Sequence, residues 1–149
     1  MKAFGDAVFK NVQWHMYHLD EIRNAIFWKR QEMKKHVKNM DGIRPKGVPS
    51  DPTANEAIMN STPLKSVVVR KQIIYHPEEW VAAIEYILAR LDESDRDLFK
   101  RVFQDGQKAE KVCEETFISW ATFFRRKTKI TFLVAVTAAE RGLISLKES

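Results

Sequence analysis

Between Gln107 and Lys129 the chain reads QKAEKVCEETFISWATFFRRKTK, and the chemistry available there is cationic rather than nucleophilic. From Phe117 to Lys129 the charged residues are Arg125, Arg126, Lys127 and Lys129, a local balance of +4 with no carboxylate to offset it. Guanidinium groups fork onto paired acceptors and ammonium groups act as point charges, so such a segment suits a ladder of phosphates. Two helix-forming runs part at Glu115-Thr116-Phe117. That layout is a helix-turn-helix, in which one helix braces a second whose opening turns enter the DNA major groove.

On this reading Lys108 to Glu114 is the brace, and its inner face of Ala109, Val112 and Cys113 is thin enough for a second helix to come close. Ile118 and Phe123 supply the matching core of the second helix, and Ser119 caps it, leaving orphan amides that themselves attract phosphate. Helical spacing puts Trp120, Ala121, Phe124, Arg125 and Thr128 on the outward face. Arg125 has the fork for guanine O6 and N7, while Ala121 and the Thr128 methyl suit thymine methyls. Arg126, Lys127 and Lys129 point to the flanks, toward phosphates, together with Gln107 and Lys108 at the start of the brace. The bland alternative is a bundle helix whose lysines face water. Trp120 and Phe124 suit a protein interface as well as they suit sugars.

The run LARLDESDRDLFKRVF, then Gly106, a short helix and FISWATFFRRKTKI resemble the C-terminal half of phage late-operon transcriptional regulators of the ArpU and RinA type. In that family a module similar to sigma factor region four carries a recognition helix of the form Ile-Ser-x-x-Thr-Tyr-Tyr-Arg followed by basic residues. Ile118, Ser119, Thr122, Phe123, Phe124 and Arg125 match this form, with phenylalanine replacing both tyrosines. Trp120 stands where a small or charged residue is expected, and Arg126 replaces an apolar one. The similarity runs from about Asp51 to Ile144. It implies sequence-specific binding of double-stranded DNA and regulation of phage or prophage late genes, with other surfaces meeting RNA polymerase. Its rivals are a DNA-packaging role like that of small terminase subunits, and a sigma-like module that binds polymerase without DNA.

Around this segment, the 149 residues, 44% of them hydrophobic, are enough for one ordinary core with an appendage. The formal net charge of +5 and pI near 9.4 favour an anionic partner. A lone cysteine, Cys113, forbids an intramolecular disulfide and points to a reducing cytoplasm. His15 and His18 lie one turn apart near Asp20 and Glu21 but lack a third firm ligand, so no metal or other cofactor is expected. No glycine-rich phosphate loop, nucleophile elbow or paired-carboxylate constellation is present, and enzyme activity is not expected either. The N-terminal stretch scatters charges among its apolar positions, which argues against a signal peptide or a membrane span.

The expected fold is all-α. A long N-terminal amphipathic helix occupies 1–41, a linker 42–55, and a helical DNA-binding domain 56–149 with the helix-turn-helix at 107–129. Val8, Val12, His15/Met16, Leu19, Ile22, Ile26, Met33 and Val37 form the stripe of the first helix, or of two in succession. Trp14, Tyr17, Phe27 and Trp28 fall partly off it and call for cover by another helix or by a second copy of the chain. Gly42 to Asn55 hold three prolines and two glycines, while Lys29 to Lys46 carry seven cations against Glu32 and Asp41, a second basic patch of +5. A short helix capped by Asp51 or Thr53 should end before Pro63. The segment KSVVVRKQIIYH has strand composition but is expected to be helical, because a lone strand has no partner. Pro77 opens a helix with the stripe Trp80, Ala83, Ile84, Ile87, Leu88 and Leu91. Another runs from Asp95 to Phe103 and closes at Gly106, and the last runs from Trp120 to Ala139.

Overall fold

The computed structural model describes residues 5–41 and 62–145, with side chains described over 5–35 and 62–145. The linker and the short helix expected between Gly42 and Ser61 lie outside the described residues. Helices α1 (Asp6–Tyr17) and α2 (Leu19–Asp41) come first, followed by strands β1 (Ser66–Val69) and β2 (Gln72–Tyr75). Helices α3 (Pro77–Arg90), α4 (Glu93–Phe99), α5 (Ala109–Thr116) and α6 (Trp120–Glu140) complete the chain, α4 continuing as a π-helical turn over Lys100–Gln104. Two compact units result, one of residues 1–20 with 79–149 and one of residues 21–78.

In the first unit, α1 packs on α6 and on the π-helical turn, and α4 and α5 pack on α6. Val12, Met16, Phe99, Phe103, Val112, Phe123, Ile130 and Val134 are buried there. Each large apolar side chain removed from water in this way contributes about 1.5–3 kcal/mol. Local chemistry sets the helix ends. Asp92 caps α4 by accepting the Asp95 amide at 2.8 Å. The π-helical turn closes where Asp105 N–H donates to the Lys100 carbonyl and Gln107 N–H to that of Arg101, both at 2.8 Å, with Gly106 at φ 67°. α6 stops in a Schellman turn: Gly142, at φ 73°, donates to Ala139 and Leu143 to Ala138.

The N-terminal stripe divides at His18, whose backbone leaves the helical region at φ −107° and ψ 19°, so two helices stand in place of one. Val12, His15, Met16, Leu19 and Ile22 of the stripe are buried, while Val8, Ile26 and Met33 are half-buried. Trp14 is covered by the histidines of its own neighbourhood, stacking on His18 at 4.2 Å between centroids, and Tyr17 packs on Phe103 at 4.6 Å. Phe27 and Trp28 remain exposed.

The second unit corrects the helix expected over KSVVVRKQIIYH, while the chain remains mostly helical as expected. KSVVVRKQIIYH is an antiparallel hairpin, so the fold is mostly helical with one two-stranded sheet among the described residues. The run holds both strands. Its second half is the partner of its first, reached through a two-residue turn at Arg70 and Lys71 whose φ values of 49° and 66° are those of a type I′ turn. Val67 pairs with Ile74 and Val68 with Ile73, which sends Val67, Val69 and Ile74 inward and Val68, Ile73 and Tyr75 outward. α2 is tied to the hairpin at both ends. Arg70 forks onto Glu21 at 2.8–3.1 Å, Lys29 Nζ donates to the Ser66 carbonyl at 2.5 Å, and Arg30 reaches both oxygens of Glu78 at 2.8 Å. Glu21 to Lys29 advances about 12 Å along a helix, and Arg70 back to Ser66 about 13 Å along a strand. Helix and hairpin therefore run side by side.

His15 is buried, its Nδ1 lies 2.7 Å from the Asn11 carbonyl, and its ring stacks on Trp80 with centroids 3.8 Å apart. Burial pushes its imidazole below the ordinary 6.5, the Asn11 bond opposes that, and nearby His18 adds to it. The unfolded chain therefore takes up the proton first as pH falls. Stability from this group is complete above about pH 6.5 and declines below it, by no more than about 1.4 kcal/mol per pH unit for one proton. Thermal unfolding between pH 7.5 and 5.5, taken as on the order of two pH units across this range, should show the decline in the native chain. His15→Phe, which keeps the stack, should flatten it; an equally steep profile in that variant would exclude His15 as the cause.

Candidate nucleic-acid interface

α5 ends because Phe117 adopts the left-handed conformation, φ 58° and ψ 39°, which lets Ile118 N–H bond the Cys113 carbonyl at 3.2 Å. Glycine is the usual occupant of such a position, and a side chain there costs roughly 1–2 kcal/mol. Phe117 is also 94% exposed, so burial of its ring offsets none of that cost. Three residues, Phe117 to Ser119, separate α5 from α6. Ser119 Oγ accepts the Thr122 amide at 3.1 Å, and the amides of Trp120 and Ala121 in the first turn have no intrahelical acceptor.

The inner side of α6 is carried by Phe123, Ile130, Thr131 and Val134, all buried, with Val112 and Cys113 buried on α5. Ile118 is half-buried. Trp120, Ala121, Phe124, Arg125 and Thr128, the outward face read from spacing, are all exposed. Trp120 and Phe124 stack at 5.5 Å with ring planes 26° apart, making a flat aromatic step beside Arg125. Phe123 meets Phe124 edge-on at 5.2 Å and links this step to the core.

The cations divide into two groups. Arg125 is exposed and Arg126 half-buried, and among the described residues neither pairs with a carboxylate. Lys127 Nζ instead lies over the rings of Tyr17 and Phe103, at 5.5 and 5.9 Å. Lys129 Nζ donates to Asp95 Oδ2 at 3.1 Å, and that carboxylate is almost wholly buried, so Lys129 neutralises a charge of the fold. Of the two polar residues before α5, Lys108 is exposed. Gln107 is half-buried, with its side-chain oxygen enclosed and without a hydrogen-bond partner.

Two acids close to this region, Asp97 and Glu115, are directed elsewhere. Arg101 bridges Asp97, at 2.8 Å, and Glu115, which ties the π-helical turn to α5; these bonds, that to Asp97 first, hold its guanidinium more firmly charged than usual. Cys113 is a buried thiol on the inner side of α5. His15 and His18 are occupied by backbone carbonyls and aromatic rings, and no group of three or more metal-ligating side chains occurs among the described residues. Nor is any described helix long and apolar enough to cross a membrane. Sequence spacing overlooked Phe117 as a surface residue, although an aromatic in place of glycine at a helix stop was the available signal. It also overlooked the hold of Asp95 on Lys129, which spans 34 positions and has no local signature.

Comparison with family models, with curated proteins and with solved structures finds no match to this chain. Chemically, the exposed side of α6 offers a guanidinium, a stacked aromatic pair, a small residue and a methyl-bearing hydroxyl on a helix that holds no acid from Trp120 to Ala139.

Phe117→Gly should stabilise the fold by about 1 kcal/mol, since it removes left-handed strain and no buried contact. Thermal unfolding checks this; a lower midpoint would mean that the ring has a structural role.

Proposed function

We propose that the chain is a sequence-specific DNA-binding protein that regulates transcription of phage or prophage late genes, with α5 and α6 as its helix-turn-helix. The observation that carries this reading is the exposed, acid-free face of α6 from Trp120 to Thr128 on which Arg125 stands unpaired among the described residues. In the mechanism that follows, the opening turns of α6 enter the major groove and Arg125 forks onto guanine O6 and N7. Ala121 and Thr128 contact thymine methyls. The first amides of α6, Lys108 and Arg126 take phosphates and set the register. Lys127 and Lys129, leaning on rings and on Asp95, contribute field more than contact. The chain is read as a non-enzymatic cytoplasmic protein, recruiting RNA polymerase through other surfaces and associating with itself through the α1–α2 region.

A second reading is favoured by one feature. Phe117, Trp120 and Phe124 are 94%, 49% and 47% exposed, which also suits docking on a protein such as polymerase. Selection of random duplexes by the full chain at two salt concentrations, followed by sequencing, separates the two. A defined base preference is expected, and absence of duplex retention even at low salt would leave the protein-docking reading standing. On the selected duplex, Arg125→Ala should lose about 1–3 kcal/mol of affinity and relax base choice. Lys127→Ala should weaken all sequences alike. Equal loss of selected and random duplex on Arg125→Ala would remove Arg125 as the base reader.

A further inference from the structure

Charge is divided unevenly between the two units. Residues 21–78 hold 11 Lys and Arg against six Asp and Glu, whereas residues 1–20 with 79–149 hold 14 of each, so the whole +5 belongs to the unit of α2 and the hairpin. Two acids of that unit are already engaged, Glu21 by Arg70 and Glu78 by Arg30. Lys65 and Lys71, both exposed, pair with no carboxylate among the described residues. From Lys65 to Tyr75 the hairpin carries Lys65, Arg70 and Lys71 and no acid. Between these cations the outward face is apolar: Val68, Ile73 and Tyr75 are 64%, 56% and 63% exposed. One side of the ribbon is thus covered and the other is not, although a two-stranded sheet gains little stability from an open apolar face.

We infer that this hairpin is a second duplex-DNA contact, lying obliquely across the major groove with Lys65 and Lys71 on phosphates and the Val68–Ile73–Tyr75 ridge against sugars and base edges. The major groove admits a two-stranded ribbon, and at about 12 Å it is narrower than the span from Lys65 to the turn, about 17 Å at the strand rise. A cation at each end therefore reaches the phosphates on opposite walls. Apolar residues between them meet thymine methyls or lean between base steps. A second copy of the chain is the poorer occupant, because two such faces would bring rims of like charge together. The assignment goes beyond the contact proposed for α6 and does not depend on it.

The test uses the full chain and a labelled duplex of about 30 base pairs and random sequence, titrated by fluorescence anisotropy between about 50 and 200 mM salt. Lys65→Gln/Lys71→Gln should make the slope of log affinity against log salt shallower by about two. The unfolding midpoint and any base preference due to Arg125 should stay unchanged. Ile73→Thr, which keeps a β-branched residue in the strand, should weaken binding without changing the slope. Wild-type slope and affinity in both variants would overturn the ribbon contact alone. Loss of slope in the lysine variant, with base preference untouched by Arg125→Ala, would leave the ribbon and overturn the α6 reading. No duplex binding by the native chain at low salt would overturn both. Polyglutamate that displaces the duplex equally well at equal charge would overturn the duplex assignment in favour of an acidic protein.

Discussion

Burial of one side of α6 is the constraint on which the rest of this molecule depends. Phe123, Ile130, Thr131, Val134, Ala135 and Ala138 are removed from water along the length of the helix, and α1, α4 and α5 are the elements packed on it. A helix held in this way has no rotational freedom left, so its opposite side is fixed as surface. Trp120, Ala121, Phe124, Arg125 and Thr128 occupy that side because they alternate with the buried positions at helical spacing. The same packing decides the duties of the cations. Lys129 is drawn to the buried carboxylate of Asp95 and Lys127 to the rings of Tyr17 and Phe103, and Arg125 meets neither.

The turn before α6 carries strain that the fold does not need. A left-handed phenylalanine exposed to solvent costs free energy that glycine would spare, and the strained residue sits next to the stacked pair of Trp120 and Phe124. Strain retained beside exposed aromatics and an arginine unpaired among the described residues supports the proposal that this surface meets a partner. Electrostatics point in a compatible direction in the other unit. The neutral balance of residues 1–20 with 79–149 means that the basic face of α6 is a local arrangement, produced by sending acids to Arg101 and to helix starts. The excess in residues 21–78 is instead a property of the whole unit.

Much of this was legible from periodicity and caps. The start of α3 at Pro77, the stripe from Trp80 to Leu91, the stops at Gly106 and Gly142, and the cap at Ser119 follow from chemistry within a turn or two of each residue. The hairpin was not legible in this way. Its β-branched composition is plain, but taken as one element the twelve residues offer a strand with no partner. Arg70 and Lys71 at the turn carry none of the glycine or asparagine that usually marks a type I′ turn, so the reversal left no local sign. The division at His18 was half visible, since one helix and two in succession present the same apolar stripe.

Among the described residues, sequence by itself determined which segments other than KSVVVRKQIIYH would be helical, where most of them would end, and that the last helix would open with cations and no acids. These are properties of side chains within a few residues of one another, and the backbone amplifies them locally. Tertiary structure decided which of those cations remain unengaged, which aromatics stay wet, and that the valine- and isoleucine-rich run folds back on itself. Those outcomes turn on partners far apart in the chain: Asp95 with Lys129, Lys127 with Tyr17, Glu21 with Arg70. Such pairs form only where packing has already brought their elements together, so no spacing rule along the chain could announce them.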